Sequence, residues 1–292
     1  MIQRLRLVMV AALCAARAAD AQQRGETRSV SEFVVVAGAN AMAGGLTALV
    51  RALAAGRPSE RPFVNGALGG LAQYWAKYLV CGSGSALQWG GMALGALGTS
   101  VVTNAGHGTD ALSEFVLPIG PGRLRYSRSR GWHATLNAYE AGAFWYLATR
   151  DEVRFDPGTS LSFGALVIRD PGQLRGRRGI EAYGRTEGSV VVISDLASDG
   201  DAILRHELVH ARQLWFLQEA WGRPTEAAIR GHIDRRGLVP DWLDLGLVVP
   251  LLVIAERKWI RSWPLTSLLE EEAGSIAKRR NTSGPLGRCM IP

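Results

Sequence analysis

The sequence is poor in charged residues and very poor in lysine. Of its 292 residues, 20% are charged and 47% are hydrophobic, so it is richer in apolar residues than most soluble enzymes. The formal net charge of +7 comes almost entirely from arginine, because lysine occurs only at Lys77, Lys258 and Lys278. No basic cluster is interleaved with aromatic residues, so the sequence predicts no nucleic-acid partner.

Cysteine is scarce as well, with three residues in the whole chain. Cys14 lies in the N-terminal segment, which leaves Cys81 and Cys289, far apart in the sequence. An oxidising compartment would allow these two to pair, but distant cysteines are also commonly unpaired. The sequence excludes a dense disulfide framework and leaves a Cys81–Cys289 disulfide open.

The N-terminus has the pattern of a secretory signal. Arg4 and Arg6 precede a short apolar run over residues 7–16, and a small-x-small cleavage site ends at Ala21. The apolar run is too short to cross a bilayer. We therefore predict that residues 1–21 are a signal peptide and that the protein is exported to the periplasm or cell envelope.

A long segment over residues 33–108 is rich in glycine, alanine and leucine. It predicts a helical region with two GxxxG pairs, which are Gly66 with Gly70 and Gly91 with Gly95. This spacing lets helix backbones approach closely, both in a membrane hairpin and in a tightly packed soluble layer. The sequence leaves open whether this region is embedded in a membrane or associated with one.

Residues 113–195 have a different residue pattern, with short runs of β-branched and aromatic residues divided by Gly, Pro and Asp turns. We predict a β-meander or a small barrel-like sheet here, whose last strand covers residues 189–194. After Ala197 the pattern is mainly helical. The predicted fold class is therefore α+β, with glycine- and alanine-rich helices before a β-meander and a helical C-terminal part.

The stretch "DAILRHELVHARQ" at 201–213 carries the motif whose residue types could support catalysis. A helix places residues four apart on one face, so His206 and His210 can direct their imidazole nitrogens at one point. Glu207 lies about 100° round the helix, beside rather than within that ligand pair. The alternative interpretation is a charged helix that carries two histidines by chance.

Two neutral imidazoles suit zinc, which lowers the pKa of a bound water to roughly 7. Glu207 is placed to accept the proton of such a water and is the candidate catalytic base. Gln213 is seven residues after His206, back on the ligand face. It is a candidate hydrogen-bond partner for a ligand histidine.

These residues resemble the zincin metallopeptidases, in which a His-Glu-x-x-His helix holds catalytic zinc. The metzincin pattern is excluded because Gln213 and Phe216 occupy the positions of its glycine and third histidine. A ligand glutamate about twenty residues downstream is missing, because Ile229 and Arg230 stand there. The resemblance that remains is to gluzincin-type enzymes, and it implies a zincin-like catalytic domain over residues 113–280.

The sequence "EEEA" at 270–273 resembles the Glu-x-Glu-Ala signature of the HtpX and prenyl-protein protease group. That resemblance implies that Glu270 is the third metal ligand. The residues themselves leave Glu270 and Glu272 open, while Glu271 falls on the polar side of the predicted helix. Glu270 shares a face with small residues that permit close helix approach, whereas Glu272 lies among leucines, where an unpaired carboxylate is costly.

In zincins an edge strand beside the active-site helix binds extended substrate by main-chain pairing, and residues 189–194 are predicted to serve that role. Candidate donors for the transition state are His232, Arg212 and Tyr183. The sequence thus predicts a zinc-dependent metallopeptidase of the cell envelope that acts on a peptide or protein substrate. The alternatives are a zinc hydrolase acting on another ester or amide, and a non-catalytic membrane or envelope structural protein with a vestigial or structural metal site.

Overall fold

The computed structural model describes residues 30–57, 60–80, 85–172, 174–175, 181–233, 239–247 and 250. Within these ranges the chain is mixed α+β, which confirms the predicted fold class at that level. The first part is helical, and the second combines short strands with helices. The predicted signal peptide, Cys81 and Cys289 lie outside the described residues.

Three consecutive helices form what we call the helical layer: α1 (Val30–Ala54), α2 (Arg61–Val80) and α3 (Ser85–His107). Backbone contacts between glycines hold α1 against α2. A Cβ atom added at Gly44 would lie 2.3 Å from the carbonyl oxygen of Gly66, and one added at Gly70 would lie 2.0 Å from that of Asn40. The close approach predicted for the Gly66–Gly70 pair is confirmed.

Helix α3 packs on α2 by the same means. A Cβ atom at Gly69 would lie 2.6 Å from the Gly98 carbonyl oxygen, and one at Gly91 would lie 2.7 Å from that of Ala76. Gly95 is less tightly enclosed, with its nearest neighbour atom at 3.3 Å. Among the described helices, α1 contains the single segment, Val36–Ala54, that is long and apolar enough to cross a membrane by length and composition.

The remaining described elements form what we call the α/β body, which begins with an antiparallel meander. Its strands are β1 (Glu114–Ile119), β2 (Gly122–Ser127) and β3 (Gly131–Asn137). A short later strand, β10 (Leu243–Asp244), pairs parallel to β3 and brings the end of the described chain back to this sheet. The predicted meander is thus confirmed for the first three strands.

Two helices then interrupt the strands, and the prediction of a continuous sheet over residues 113–195 is wrong there. Helix α4 (Ala138–Ala148) begins after Asn137, whose side chain accepts a hydrogen bond from the Glu140 backbone nitrogen. Helix α5 (Pro157–Phe163) begins after Asp156, which caps it in the same way. These local caps outweigh the strand preference of the aromatic residues in α4.

A second sheet has the strand order β4-β5-β9-β8. A separate two-stranded ladder, β6 with β7, lies between β5 and β8 in the sequence. Strands β5 and β9 are parallel, so the second half of the region is not a meander. The strand bounds are β4 (Arg154–Phe155), β5 (Leu166–Asp170), β6 (Leu174–Arg175), β7 (Glu181–Ala182), β8 (Gly184–Glu187) and β9 (Val190–Ser194).

Helix α6 (Gly200–Leu217) carries the histidine motif. The Asp199 side chain caps it by accepting a hydrogen bond from the Ala202 backbone nitrogen at 3.4 Å. The helix continues through a π-helical turn, Gln218–Gly222, into α7 (Arg223–Ile233). Its buried face packs on β5 and β9 in one apolar cluster, whose buried members are Ala165, Val167, Val191, Ile193, Leu204, Leu208 and Ala211.

A buried ionic network joins the meander to the π-helical turn. The guanidinium group of Arg125 donates to both carboxylate oxygens of Glu219, at 3.1 and 3.2 Å, and to Asp244 at 2.7 Å. Its Nε donates to Thr135 at 2.9 Å. On the same strand, Arg123 donates to Glu140 at 2.6 Å. The turn that follows the histidine helix is therefore fixed to β2 by paired charges.

Candidate metal centre

The two histidines of α6 converge, one helical turn apart. The Nε2 atoms of His206 and His210 are 3.0 Å from each other, and the ring planes are inclined at 84°. Two imidazoles that bind one tetrahedral zinc ion at about 2.0–2.1 Å hold their nitrogens about 3.3 Å apart. The pair therefore fits two corners of a zinc site after a shift of a few tenths of an ångström.

Gln213 fixes the second histidine in a form that can bind metal. Its side-chain oxygen is 2.8 Å from Nδ1 of His210, and this oxygen can only accept a hydrogen bond. When His210 donates this hydrogen bond, its proton is on Nδ1 and Nε2, which faces His206, keeps its lone pair. An outer hydrogen bond of this kind is the usual means of orienting a ligand histidine.

Glu207 is held against strand β8. One carboxylate oxygen, Oε2, is 2.6 Å from the Thr186 hydroxyl oxygen, which is also 3.0 Å from the Glu207 carbonyl oxygen. A Cβ atom at Gly184 would lie 2.7 Å from the other carboxylate oxygen, Oε1. Only 8% of Glu207 is exposed. Its carboxylate is therefore fixed by a strand rather than free in solvent.

The predicted substrate strand is not an edge strand. β9 pairs with β5 on one side and β8 on the other, and all five of its residues are buried. The prediction that residues 189–194 offer a free edge to substrate is therefore wrong. The run of valine and isoleucine is typical of a central strand covered on both faces. In the described sheet, β8 occupies the terminal position beside the histidine helix.

The candidate donors are placed differently from one another. Arg212 lies on the buried side of α6, where its guanidinium group donates to the Phe163 carbonyl oxygen at 3.0 Å. Burial, together with the nearby charge of Arg123, lowers the pKa of Arg212 to about 10. Tyr183 is 37% exposed, immediately before β8. The side chain of His232 lies outside the described part.

The third ligand predicted from sequence also lies outside the described residues, for both Glu270 and Glu272. Among the residues that the structure describes, no group of three or more His, Cys, Asp or Glu side chains could hold a metal ion. The geometry that bears on the metal centre is thus the pair of histidines, Gln213 behind one of them, and Glu207.

Thr186 and Gly184 are contacts of Glu207 that the sequence did not indicate. Both lie about twenty residues before the motif on another element, and no spacing rule connects a strand residue to a particular helix residue. A single Gly-x-Thr at this distance from the motif is too common to serve as a signal. Their importance follows only from the packing of β8 on α6.

Comparisons of this chain with protein-family models, with curated proteins and with solved structures give no match. Any proposal of a function therefore rests on the residues and the geometry of the chain itself.

Proposed function

We propose that this protein is an exported zinc-dependent metallopeptidase of the cell envelope. The observation that carries the proposal is the convergence of His206 and His210, with Nε2 atoms 3.0 Å apart, while Gln213 holds the metal-binding form of His210. Two converging imidazoles, on a helix that also carries a buried glutamate, match the chemistry of a hydrolytic zinc centre. The N-terminal signal pattern supports export.

In this proposal His206 and His210 hold the metal, and Glu270 completes the protein ligands, with Glu272 as the alternative. When bound, zinc supplies a Lewis acid that polarises the scissile carbonyl group and acidifies water. Glu207 accepts the proton of the attacking water and later donates it to the leaving amine. The hydrogen bond from Thr186 keeps the Glu207 carboxylate in one orientation during both transfers, and the lack of a side chain at Gly184 leaves room for it.

Replacement of the proposed base tests this function. We expect Glu207→Gln to lower hydrolysis of an unfolded protein such as casein by about a hundredfold or more, while the zinc content stays unchanged. Glu152→Gln is the matched control, because it makes the same substitution at an exposed position. Undiminished hydrolysis by Glu207→Gln would contradict the assigned role, and a zinc-loaded wild type that cleaves no peptide in a diverse library would contradict the peptidase itself.

A second candidate function is a non-catalytic envelope protein whose histidine helix holds a structural metal or none. The 3.0 Å separation of the two Nε2 atoms favours it, because this is also the length of a hydrogen bond between the two rings, which needs no metal. Metal analysis separates the two candidates. A peptidase contains about one zinc ion per chain with an open coordination position, whereas a structural site is closed by four protein ligands.

A further inference from the structure

We propose that the outward face of α1 docks on an anionic lipid surface, with the helix lying in the plane of that surface. This inference concerns the helical layer and holds whether or not the α/β body is a peptidase.

The outward face of α1 is an unbroken apolar stripe. Every exposed residue of α1 between positions 36 and 53 is apolar, and their spacing follows one side of a helix. The larger members are each about half exposed, at 46–53%. Val64 and Leu68 on α2 extend the exposed apolar surface. We call the α1 residues Ala39, Met42, Ala43, Leu46, Val50 and Leu53 the apolar stripe.

Charge at the end of the stripe favours an anionic lipid surface. Arg57 follows the stripe in the α1–α2 turn, and Arg61 begins α2; both are exposed. Of the four basic residues between 36 and 107, Lys77 is buried and Arg51 donates to the Ala220 carbonyl oxygen. The exposed cations at the end of the stripe are therefore Arg57, which also donates to the His107 carbonyl oxygen, and Arg61, with Glu60 between them. An apolar helix face flanked by arginine is the pattern of helices that lie in the interface of anionic membranes.

The contacts of α3 exclude a crossing of the bilayer by the helical layer in this arrangement. Near its start, Trp89 donates to the Leu161 carbonyl oxygen at 2.9 Å, and near its end, Asn104 donates to the carbonyl oxygens of Ala111 and Glu114. Helix α3 thus contacts the α/β body over about 15 residues, or about 23 Å.

A perpendicular crossing would take these strands and loops into the hydrocarbon, where exposed irregular backbone is not tolerated. Docking in the plane needs no such burial, because the stripe faces away from the body. In the described part of the layer, the lipid surface then meets the apolar stripe, with Arg57, Glu60 and Arg61 at its end.

Depth measurements on single-cysteine variants of the full chain test this inference. Cys14, Cys81 and Cys289 are replaced by Ser, and Met42→Cys, Leu46→Cys or Leu53→Cys is labelled with the fluorophore NBD. The probe surface is a vesicle of phosphatidylcholine with one third phosphatidylglycerol, brominated at chosen acyl carbons. Leu161→Cys, 72% exposed on the α/β body, is the control position.

We expect all three stripe labels to shift to the blue and to be quenched by bromine near the glycerol end of the acyl chain, at one common depth. The label at position 161 should neither shift to the blue nor be quenched by bromine. No lipid response at the stripe would overturn the proposal. So would depths that differ by about 16 Å between positions 42 and 53, as a crossing requires. A blue shift of the stripe labels that appears without lipid and grows with protein concentration would also overturn the proposal, because it would show that a second copy of the chain covers the stripe.

Partition measurements add a second readout. We expect the double substitution Leu46→Glu with Val50→Glu to weaken binding to the same vesicles at least about tenfold. Leu161→Glu with Leu196→Glu adds equal charge at exposed positions of the body and should leave binding within about twofold. Equal losses in the two double variants would assign the effect to net charge and overturn the role of the stripe.

Discussion

The helical layer and the α/β body are held together by opposite means. In the layer, glycines bring backbones into contact, as at Gly44 with Gly66 and at Gly69 with Gly98. In the body, paired charges are buried: Arg125 pairs with Glu219 and Asp244, and Arg123 pairs with Glu140 and Glu219. Contacts between glycines depend on shape and are insensitive to pH, whereas a buried ion pair depends on both partners remaining charged.

This difference bears on the candidate metal centre, which depends on both regions. Helix α6 rests on the apolar strands of the body, while Trp215 near its end lies 3.8 Å from the Cβ position of Gly95 in α3. The following turn contacts the layer again, because Arg51 donates to the Ala220 carbonyl oxygen at 2.9 Å. The histidine helix is thus a shared element of the two regions.

The largest effect should come from breaking the ionic network of the body. Arg125→Met leaves Asp244 buried without its ion-pair partner and leaves Glu219 with the more distant Arg123, at 3.7 Å. We expect the free energy of unfolding to fall by about 3–5 kcal/mol. Chemical denaturation measures this change. Arg154→Met is the matched control, because that arginine pairs with Asp195 at an exposed position, and its loss should cost at most about 1 kcal/mol. Equal losses of unfolding free energy in the two variants would mean that burial does not make the Arg125 ion pairs more important for stability than an exposed pair.

The next effect should come from separating the helices of the layer. Gly70→Ala places a methyl group against the Asn40 carbonyl oxygen, and we expect a destabilisation of about 3 kcal/mol. Gly90→Ala in α3 meets open space and should stabilise the protein by roughly 0.5–1 kcal/mol. In Gly70→Ala, hydrogen exchange should become faster in α1 and α2. Faster exchange confined to the α/β body would contradict the assigned role of this contact.

Low pH should destabilise the α/β body before the helical layer. Burial alone would raise the pKa of Asp244, but Arg125 and the Thr135 hydroxyl outweigh it and hold that pKa below its usual range. A depressed folded-state pKa contributes stability above the unfolded pKa, near 4, and this contribution is lost as pH falls through the lower folded value. Hydrogen exchange across that range should therefore show β3 and β10 opening before α1 and α2. Simultaneous opening would contradict the comparison.

The smallest change in stability should accompany a local change in activity. Thr186→Val removes the hydroxyl group that contacts Glu207, and we expect about 1 kcal/mol of destabilisation. In the proposed peptidase, kcat should fall about tenfold while KM and zinc content stay nearly unchanged, because the carboxylate is less well oriented. Thr186→Ser keeps the hydroxyl and should retain most of kcat. If serine does not rescue the activity, the methyl group rather than the hydrogen bond is responsible.

Local patterns in the sequence predict the features that depend on neighbours in the chain. The four-residue spacing of His206 and His210 predicts one helix face, and the spacing of Gly66 and Gly70 predicts close helix contact. Helix α4 was missed because its aromatic residues favour strands, although Asn137 before it is a cap that the sequence displays.

Features that depend on distant residues had no local pattern to predict them. The sequence predicts an edge position for β9, whereas its true position depends on the parallel partner β5, more than twenty residues earlier. The contact between Arg125 and Asp244 joins residues 119 positions apart. Burial of Arg125 could not be predicted either, because an arginine in a strand is usually exposed.

The metal content of purified variants tests most directly the claim that His206 and His210 form a zinc centre. We expect about one zinc ion per chain in the wild type and in His133→Ala, which alters a histidine of the meander, and a loss of zinc in both His206→Ala and His210→Ala. A wild type that binds no zinc, or zinc retained after both histidines of α6 are replaced, would contradict the claim.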